Sequence, residues 1–257
     1  MSQPRPTDPI GSIGWAERTG GVLTTRECLT LARPLLRGEL SILAGRLAMV
    51  LRMHSGRRRS IDPASLVPPD SRLARDAEVA AQDLLTPALL NHSSRAYTWG
   101  AAIAALQGIT FDRELLYLAA MFHDTGLPSP VPHVDFTVRS AQLAREFSER
   151  RGVPADGREL IANAIAMHHT PGVRPDAGAE AFLLSAGAGV DVFGLRSGEI
   201  PDAVRRNVVQ DFPRLGFKRE FAALWRAEAK QVPRGRGWFL HRFALTDVTM
   251  RLAPFRE

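Results

Sequence analysis

Cysteine is nearly absent from this chain: Cys28 stands alone among 257 residues. One thiol excludes an internal disulfide framework, and it equally excludes a thiolate cage for zinc. A chain so poor in cysteine fits a reducing compartment, so a cytoplasmic location is expected. Lysine is almost missing as well. Only Lys218 and Lys230 occur, so nearly all of the 33 basic residues are arginine. Against 27 acids they leave a net charge of +6, but they are interleaved with those acids rather than gathered in a block. The one basic cluster, "GRRRS" at 56–60, reads as a solvated loop, and nucleic acid is not expected as a partner. No apolar run reaches the roughly 18 uncharged residues of a membrane-spanning helix, and the opening "MSQPRPTDPIG" has no apolar core of a secretory signal. A small molecule is the expected partner, with a homo-oligomer left open.

Strand patterns are also lacking. Alternating runs of Val, Ile and Thr closed by hairpin turns do not appear, whereas helix-length apolar patterns recur between Pro and Gly. The fold class is therefore all-α. Residues 1–22 look irregular, and two helices are expected after them, over "TRECLTLARPLL" and "GELSILAGRLAMVLRM". With the Pro-rich "DPASLVPPD" they form an N-terminal segment, residues 1–66, packed on a main domain at 67–257. There, Thr86 and Pro87 make an N-cap and first-turn proline for a helix running to about Leu106. Asp112 caps "RELLYLAAMFHD", with Gly126 at the place of a left-handed C-terminal residue. Asp135 or Thr137 opens the next helix, which Gly152 closes. Helices follow over "ADGRELIANAIAMHHTPG", "AEAFLLSAGAGVDVFG", "PDAVRRNVVQDF" and "KREFAALWRAEAKQ", and a single last helix over "WFLHRFALTDVTMRLAPF".

Several polar residues sit on faces that ought to be buried. Ala88, His92, Arg95, Ala96, Trp99, Ile103 and Leu106 step by three or four along one stripe. That places His92 inward, whether as a core histidine satisfied by a carbonyl or as a ligand, and it places Arg95 where it needs an anionic partner. The stripe Leu116, Ala119, Ala120 ends in His123, and the stripe Tyr117, Ala120, Met121 ends in Asp124. Aspartate at a helix C-terminus opposes the helix dipole by about half a kcal/mol, so something must compensate for it. An Asp–His pair, a cap or a metal would each do so. Leu184, Gly187, Ala188 and Asp191 share a face nearly bare of side chains, and glycine there costs about 0.5–1 kcal/mol relative to alanine. Close approach by another backbone or a ligand is expected at Gly187 and Gly189. His168 points inward at the end of its helix with His169 at the edge, while His54, His133 and His241 read as structural.

An inward His, an adjacent His-Asp pair at a helix end and a distant Asp on a later helix resemble the H…HD…D pattern of the HD superfamily of metal-dependent hydrolases. Here the pattern falls on His92, His123 with Asp124, and Asp191. The segments "NHSSRAYTWG", "AAMFHDTG", "AGAGVDVFGLR" and "APFRE" are similar to the cyanamide hydratase-like branch, over residues from about 67 to the end. The resemblance implies an HD-domain/PDEase-like helical bundle and a metal held by those four residues. Three departures bear on the substrate and the metal count. Leu127 stands where HD phosphatases of deoxynucleotides often carry Glu. Thr137 stands where the branch expects an acid after Phe136. The stretch "VDFTVRSAQLA" offers no histidine for a second metal, although His168 or His169 matches the other such position.

Two imidazoles and two carboxylates suit one divalent cation, Zn, Fe, Mn or Ni, with positions left for water and substrate. Such an ion lowers the pKa of its water from 15.7 toward about 7, giving a hydroxide at neutral pH. The expected activity is thus addition of water to a nitrile-like or amide-like carbon of a small polar molecule. In it, His168 shuttles protons, Arg95 holds substrate or orients an acid behind the ligands, and His169 and Thr137 contact substrate. The runner-up is a phosphohydrolase of a nucleotide or phosphate ester, with Arg95 and Arg139 or Arg196 taking the phosphate. A third reading, from another class, is a non-catalytic module that binds a ligand or nucleic acid.

Overall fold

The computed structural model describes residues 8–257. Among the described residues the chain is all-α, with twelve helices and no strand. They are α1 (Ile13–Thr19), α2 (Thr25–Val50), α3 (Arg72–Gln82), α4 (Pro87–Gln107), α5 (Arg113–Phe122), α6 (Phe136–Arg150), α7 (Ala155–Met167), α8 (Ala179–Phe193), α9 (Asp202–Asp211), α10 (Phe217–Gln231), α11 (Arg236–Phe243) and α12 (Thr246–Leu252). None is long and apolar enough to cross a membrane.

Local chemistry sets many of these boundaries. Thr86 Oγ1 accepts the Leu89 amide, Pro87 follows it, and Gly108 ends α4 with φ of +66°. Asp112 accepts the amides of Glu114 and Leu115 at the start of α5. Asp135, not Thr137, caps α6 by accepting the Thr137 amide, and Gly152 is left-handed after it. The apolar stripe of α4 understates its burial. Nearly every residue from His92 to Ala104 is buried, so α4 is the central helix of the bundle.

Four expectations are corrected. The two helices expected between residues 25 and 53 are the single α2. Its Thr24–Glu27 capping box starts a ladder that continues through Pro34, although an interior proline removes one hydrogen bond at about 3 kcal/mol. Part of the irregular stretch is helical, since Ser12 caps α1 and buries Trp15 and Ala16; residues 1–7 of that stretch lie outside the described residues. The last helix is two. Thr246 Oγ1 donates to the Leu240 carbonyl at 2.8 Å, and a local side-chain bond of this kind competes with the helix ladder. Gly126 is not left-handed. It is needed for space, because a Cβ there would lie 2.3 Å from the Phe136 carbonyl oxygen.

α4 and α8 make the most extensive helix pair, and α5 and α7 pack beside them. The bare face of α8 explains the intimacy: a Cβ at Gly187 would stand 2.0 Å from the Ala96 carbonyl oxygen. Reciprocally, a Cβ at Gly100 of α4 would stand 2.8 Å from the Leu183 oxygen. Gly189 is different, meeting only the Leu195 side chain at 3.3 Å. Overpacking against backbone costs about 1–3 kcal/mol or more, whereas glycine to alanine inside a helix gains up to about 1 kcal/mol where space allows. Gly187→Ala is therefore expected to lose at least about 2 kcal/mol in urea unfolding, and Gly189→Ala to stay within about 1 kcal/mol of the parent. Equal effects of the two would contradict this account of the helix contact.

Candidate metal centre

Two helix ends and one helix interior converge on a buried point. His92 comes from the middle of α4, His123 and Asp124 from the residues after α5, and His168 from the residue after α7. All four side chains are at least nine-tenths buried. His123 Nδ1 donates to the Ala120 carbonyl at 2.7 Å, and His168 Nδ1 donates to the Ile165 carbonyl at 2.7 Å. A carbonyl only accepts, so each neutral ring keeps its Nε2 lone pair bare. His92 Nδ1 lies 2.8 Å from Asp191 Oδ2, which likewise leaves Nε2 bare.

Those lone pairs face one another. His92 Nε2 is 3.2 Å from His123 Nε2 and 3.4 Å from Asp124 Oδ2, and His123 Nε2 is 3.3 Å from the same oxygen. His168 Nε2 is 3.6 Å from Asp124 Oδ1. Both Asp124 oxygens are buried without a hydrogen-bond donor. Acceptors packed against acceptors in a dry site need a cation among them. Ligand atoms of His92, His123 and Asp124 lie within 4.8 Å of one another, close enough to hold one metal ion together. The donor set of nitrogen and oxygen suits a divalent transition metal.

The electrostatics tell the same story. Burial alone would raise the Asp124 carboxyl, but His123, His92 and His168 outweigh it and hold the group below the usual carboxylate range. Burial pulls His123 down, yet Asp124 beside it leaves this ring above the ordinary imidazole value. Burial wins at His92, which is lowered, and at His168, which burial and the neighbouring His123 and His169 depress well below normal.

Asp191, expected as a fourth ligand, has other company. Arg95 grips it with two bonds, Nε to Oδ1 at 2.8 Å and Nη2 to Oδ2 at 2.9 Å. Trp99 Nε1 and Arg214 Nη1 each donate to Oδ1 at 3.0 Å. With His92 Nδ1 these make five donors around a carboxylate that has about four lone-pair sites. No lone pair is left for a cation, and the carboxylate orients His92 instead. Arg95 and Arg214 overcome the effect of burial and hold Asp191 well below its ordinary pKa. Arg95 is fully buried and does not line the cavity, so of its two expected roles the contact with substrate is corrected, and the geometry is that of the other, a clamp that orients the acid Asp191.

A cavity of about 150 Å³ opens onto His92, Asp124 and His168. His169 lines it too, stacked on Phe136 with ring centroids 5.1 Å apart and with both ring nitrogens lacking a hydrogen-bond partner. Thr137 does not line it. Its hydroxyl donates to Asp135 Oδ1 at 2.7 Å and accepts from Arg236 Nη2 at 2.9 Å, so the expected substrate contact is corrected to a structural one. Asp135 and the fully buried Arg236 are paired at 3.0 Å, with Glu228 Oε1 accepting the Phe136 amide at 3.0 Å. Neither Arg214 nor this second network was expected from the sequence. Arg214 sits in a loop with no periodicity, but Glu228 continues the stripe Phe217, Phe221, Trp225 and was findable as a charge on an apolar face.

Residues 89–206 match the family model described as the HD domain. The matched span contains His92, His123, Asp124, His168 and Asp191, and it supports the superfamily level of the resemblance. A search of curated proteins finds no match to the chain.

Two outcomes follow from these contacts. Purified protein is expected to hold a transition metal that His123→Ala and Asp124→Asn lose. Asp191→Asn should keep it with roughly 10–100-fold weaker affinity, as for partners that orient a ligand. That variant should also lose about 3–5 kcal/mol in urea unfolding, because Arg95 and Arg214 keep buried charges without their anion. Metal analysis together with denaturation checks both, and an Asp191→Asn protein of unchanged stability would refute the clamp. The second outcome concerns Glu228, which burial and the nearby Asp135 push up from 4.5 to about 7. Between those values the unfolded chain ionises while the native chain stays protonated, so this group makes stability fall as pH rises from about 4.5 to about 7. Glu228→Gln should therefore gain on the parent between pH 5 and pH 8, by up to about 3 kcal/mol at 1.36 kcal/mol per unit. A gap between the two proteins that is independent of pH would overturn this.

Proposed function

We propose that the protein is a metal-dependent hydrolase or hydratase that adds water to a small, uncharged, polar molecule with a nitrile-like or amide-like carbon. One observation carries this reading: among the described residues, the cavity that ends on His92, Asp124 and His168 has no arginine or lysine in its wall. Its sides are instead apolar, among them Ile42, Val192, Phe193 and Phe221, and its one carboxylate besides Asp124 is Glu39. A phosphate ester needs fixed cations around its oxygens. Arg95 and Arg214 are spent on Asp191, and Arg196 pairs with Glu199. Arg139 lies outside the cavity wall. These placements weigh against the phosphohydrolase reading.

His92 and His123, through Nε2, and Asp124 are the residues that would hold the ion. A bound divalent cation supplies Lewis acidity, polarising an electrophile and easing the ionisation of a water. The chain's own groups do the rest. Asp191 and the Ala120 carbonyl hold the two imidazoles in the tautomer that aims Nε2 at the centre. His168 is neutral at physiological pH because burial and neighbouring rings disfavour its cation. Its free Nε2 accepts a proton from the attacking water and returns one to the product. Trp225 Nε1, buried without an acceptor, and His169 lie in the wall, where they offer a polar substrate atom a hydrogen bond. Phe221 and Trp225, stacked with centroids 5.7 Å apart, exclude solvent from the same side. The small volume favours a substrate of a few heavy atoms.

The test is a substrate panel run with Zn, Fe, Mn and Ni in turn: cyanamide-like nitriles, small amides and ureas on one side, nucleotides and simple phosphate esters on the other. Turnover is expected on the uncharged side. His168→Ala should lower kcat about 10²–10⁴-fold with KM little changed, the signature of a lost proton acceptor. Phosphate release with no reaction of the neutral compounds would establish the phosphohydrolase instead.

A further inference from the structure

The longest helix carries an apolar stripe on its outer side. Leu29, Leu36, Leu43 and Val50 recur every seven residues along α2, and Leu40 and Leu47 fall four after Leu36 and Leu43. Arg33 takes the remaining place of the same series. Every one of these side chains is exposed, whereas Leu31 and Ile42 are buried on the other side of the helix. A 3-4 spacing held without drift is the pattern by which one helix packs lengthwise on another. A merely solvated face has no use for it. With Leu51 and Met53 the eight apolar side chains, each more than half exposed, present an area on the order of the 800 Å² that each partner buries in a standard interface. That exceeds the few hundred Å² an ordinary monomer shows.

The charges beside the stripe choose the partner and its direction. In a parallel pair, each stripe residue would face itself, setting Arg33 against Arg33. In an antiparallel pair about a two-fold axis between Ser41 and Ile42, Leu40 meets Leu43 of the second copy, Leu36 meets Leu47, and Arg33 meets Val50 near the end, where its head reaches water. That register also brings Glu39 against Arg46 of the second copy, twice by symmetry. Among the described residues Glu39 makes no hydrogen bond of its own, and Arg46 makes one, from Nη2 to the Thr249 carbonyl, leaving Nη1 uncommitted. We propose that the outer face of α2 is a self-complementary interface, occupied by α2 of a second copy of this chain running antiparallel. Pro34, Leu35, Gly38 and Ile42 of the same helix wall the cavity, so the second copy braces one side of it. The interface stands apart from any reading of the chemistry.

Sedimentation of the full chain at about 10 µM is expected to show a dimer. Leu40→Glu with Leu43→Glu should give a monomer with unchanged helical content and metal content, since both side chains are exposed in the single chain. Glu39→Arg should weaken the dimer about tenfold and Glu39→Arg with Arg46→Glu should restore it, as reversal of two rim ion pairs predicts. Direction is read by oxidation in a Cys28→Ser background. Positions 36 and 47 lie about 16 Å apart along one helix, too far for a disulfide within a chain. Leu36→Cys with Leu47→Cys should therefore cross-link between copies, and Leu36→Cys alone should not. A wild-type monomer overturns the proposal, as does cross-linking by Leu36→Cys alone. Flotation of monomeric protein with vesicles containing anionic phospholipid also overturns it and assigns the face to a lipid surface.

Discussion

The grip of two buried arginines on Asp191 is the constraint on which the rest of the centre depends. Arg95 and Arg214 bring two positive charges into the interior and share the buried anion Asp191, while the exposed Glu257 accepts from Arg214 Nε at 3.0 Å. Burial keeps His92 neutral, and it gives its Nδ1 proton to Asp191. Its Nε2 is then an acceptor aimed at the point where His123 and Asp124 also offer acceptors. The α4–α8 contact has to be close for this to happen, because Asp191 on α8 must reach His92, Arg95 and Trp99 on α4. Gly100 and Gly187 supply that closeness. Two helix-breaking residues in helix interiors and a costly buried ion cluster thus belong to one arrangement.

Much of this was legible in the sequence, because helices and inward-facing polar residues announce themselves by period. His92 on the apolar stripe of α4, the pair at the end of α5, His168 at the end of α7 and the bare face of α8 all lie where spacing placed them. What spacing does not carry is partner choice. A buried arginine and a buried aspartate signal only that each needs an opposite charge. Which carboxylate serves a metal and which serves a guanidinium is decided by three-dimensional neighbours such as Arg214, which lies in an aperiodic loop. Thr137 was misread for a related reason. A hydroxyl near a helix start serves a cap network as readily as a ligand, and only the position of Arg236 separates the two. The fusion of α2 through Pro34 and the break at Thr246 likewise depend on single side-chain contacts that periodicity averages away.

The distribution of arginine argues for the chemistry more strongly than its abundance does. This chain has 33 basic residues, yet among the described residues no arginine or lysine faces the cavity. Three of its arginines, Arg95, Arg214 and Arg236, are wholly interior, the first two sharing Asp191 and the third paired with Asp135, all at about 3 Å. A substrate that carried its own anionic charge into this cavity would find the guanidiniums already neutralised. It would also meet Glu39 at the wall, a carboxyl that burial already pushes upward. An uncharged molecule meets neither obstacle. On the proposed reading it needs only apolar walls, a donor such as Trp225 Nε1 and a neutral base, the part proposed for His168, which burial and the rings beside it keep neutral. The depth that makes the centre hungry for a cation thus also makes His168 able to accept a proton at neutral pH.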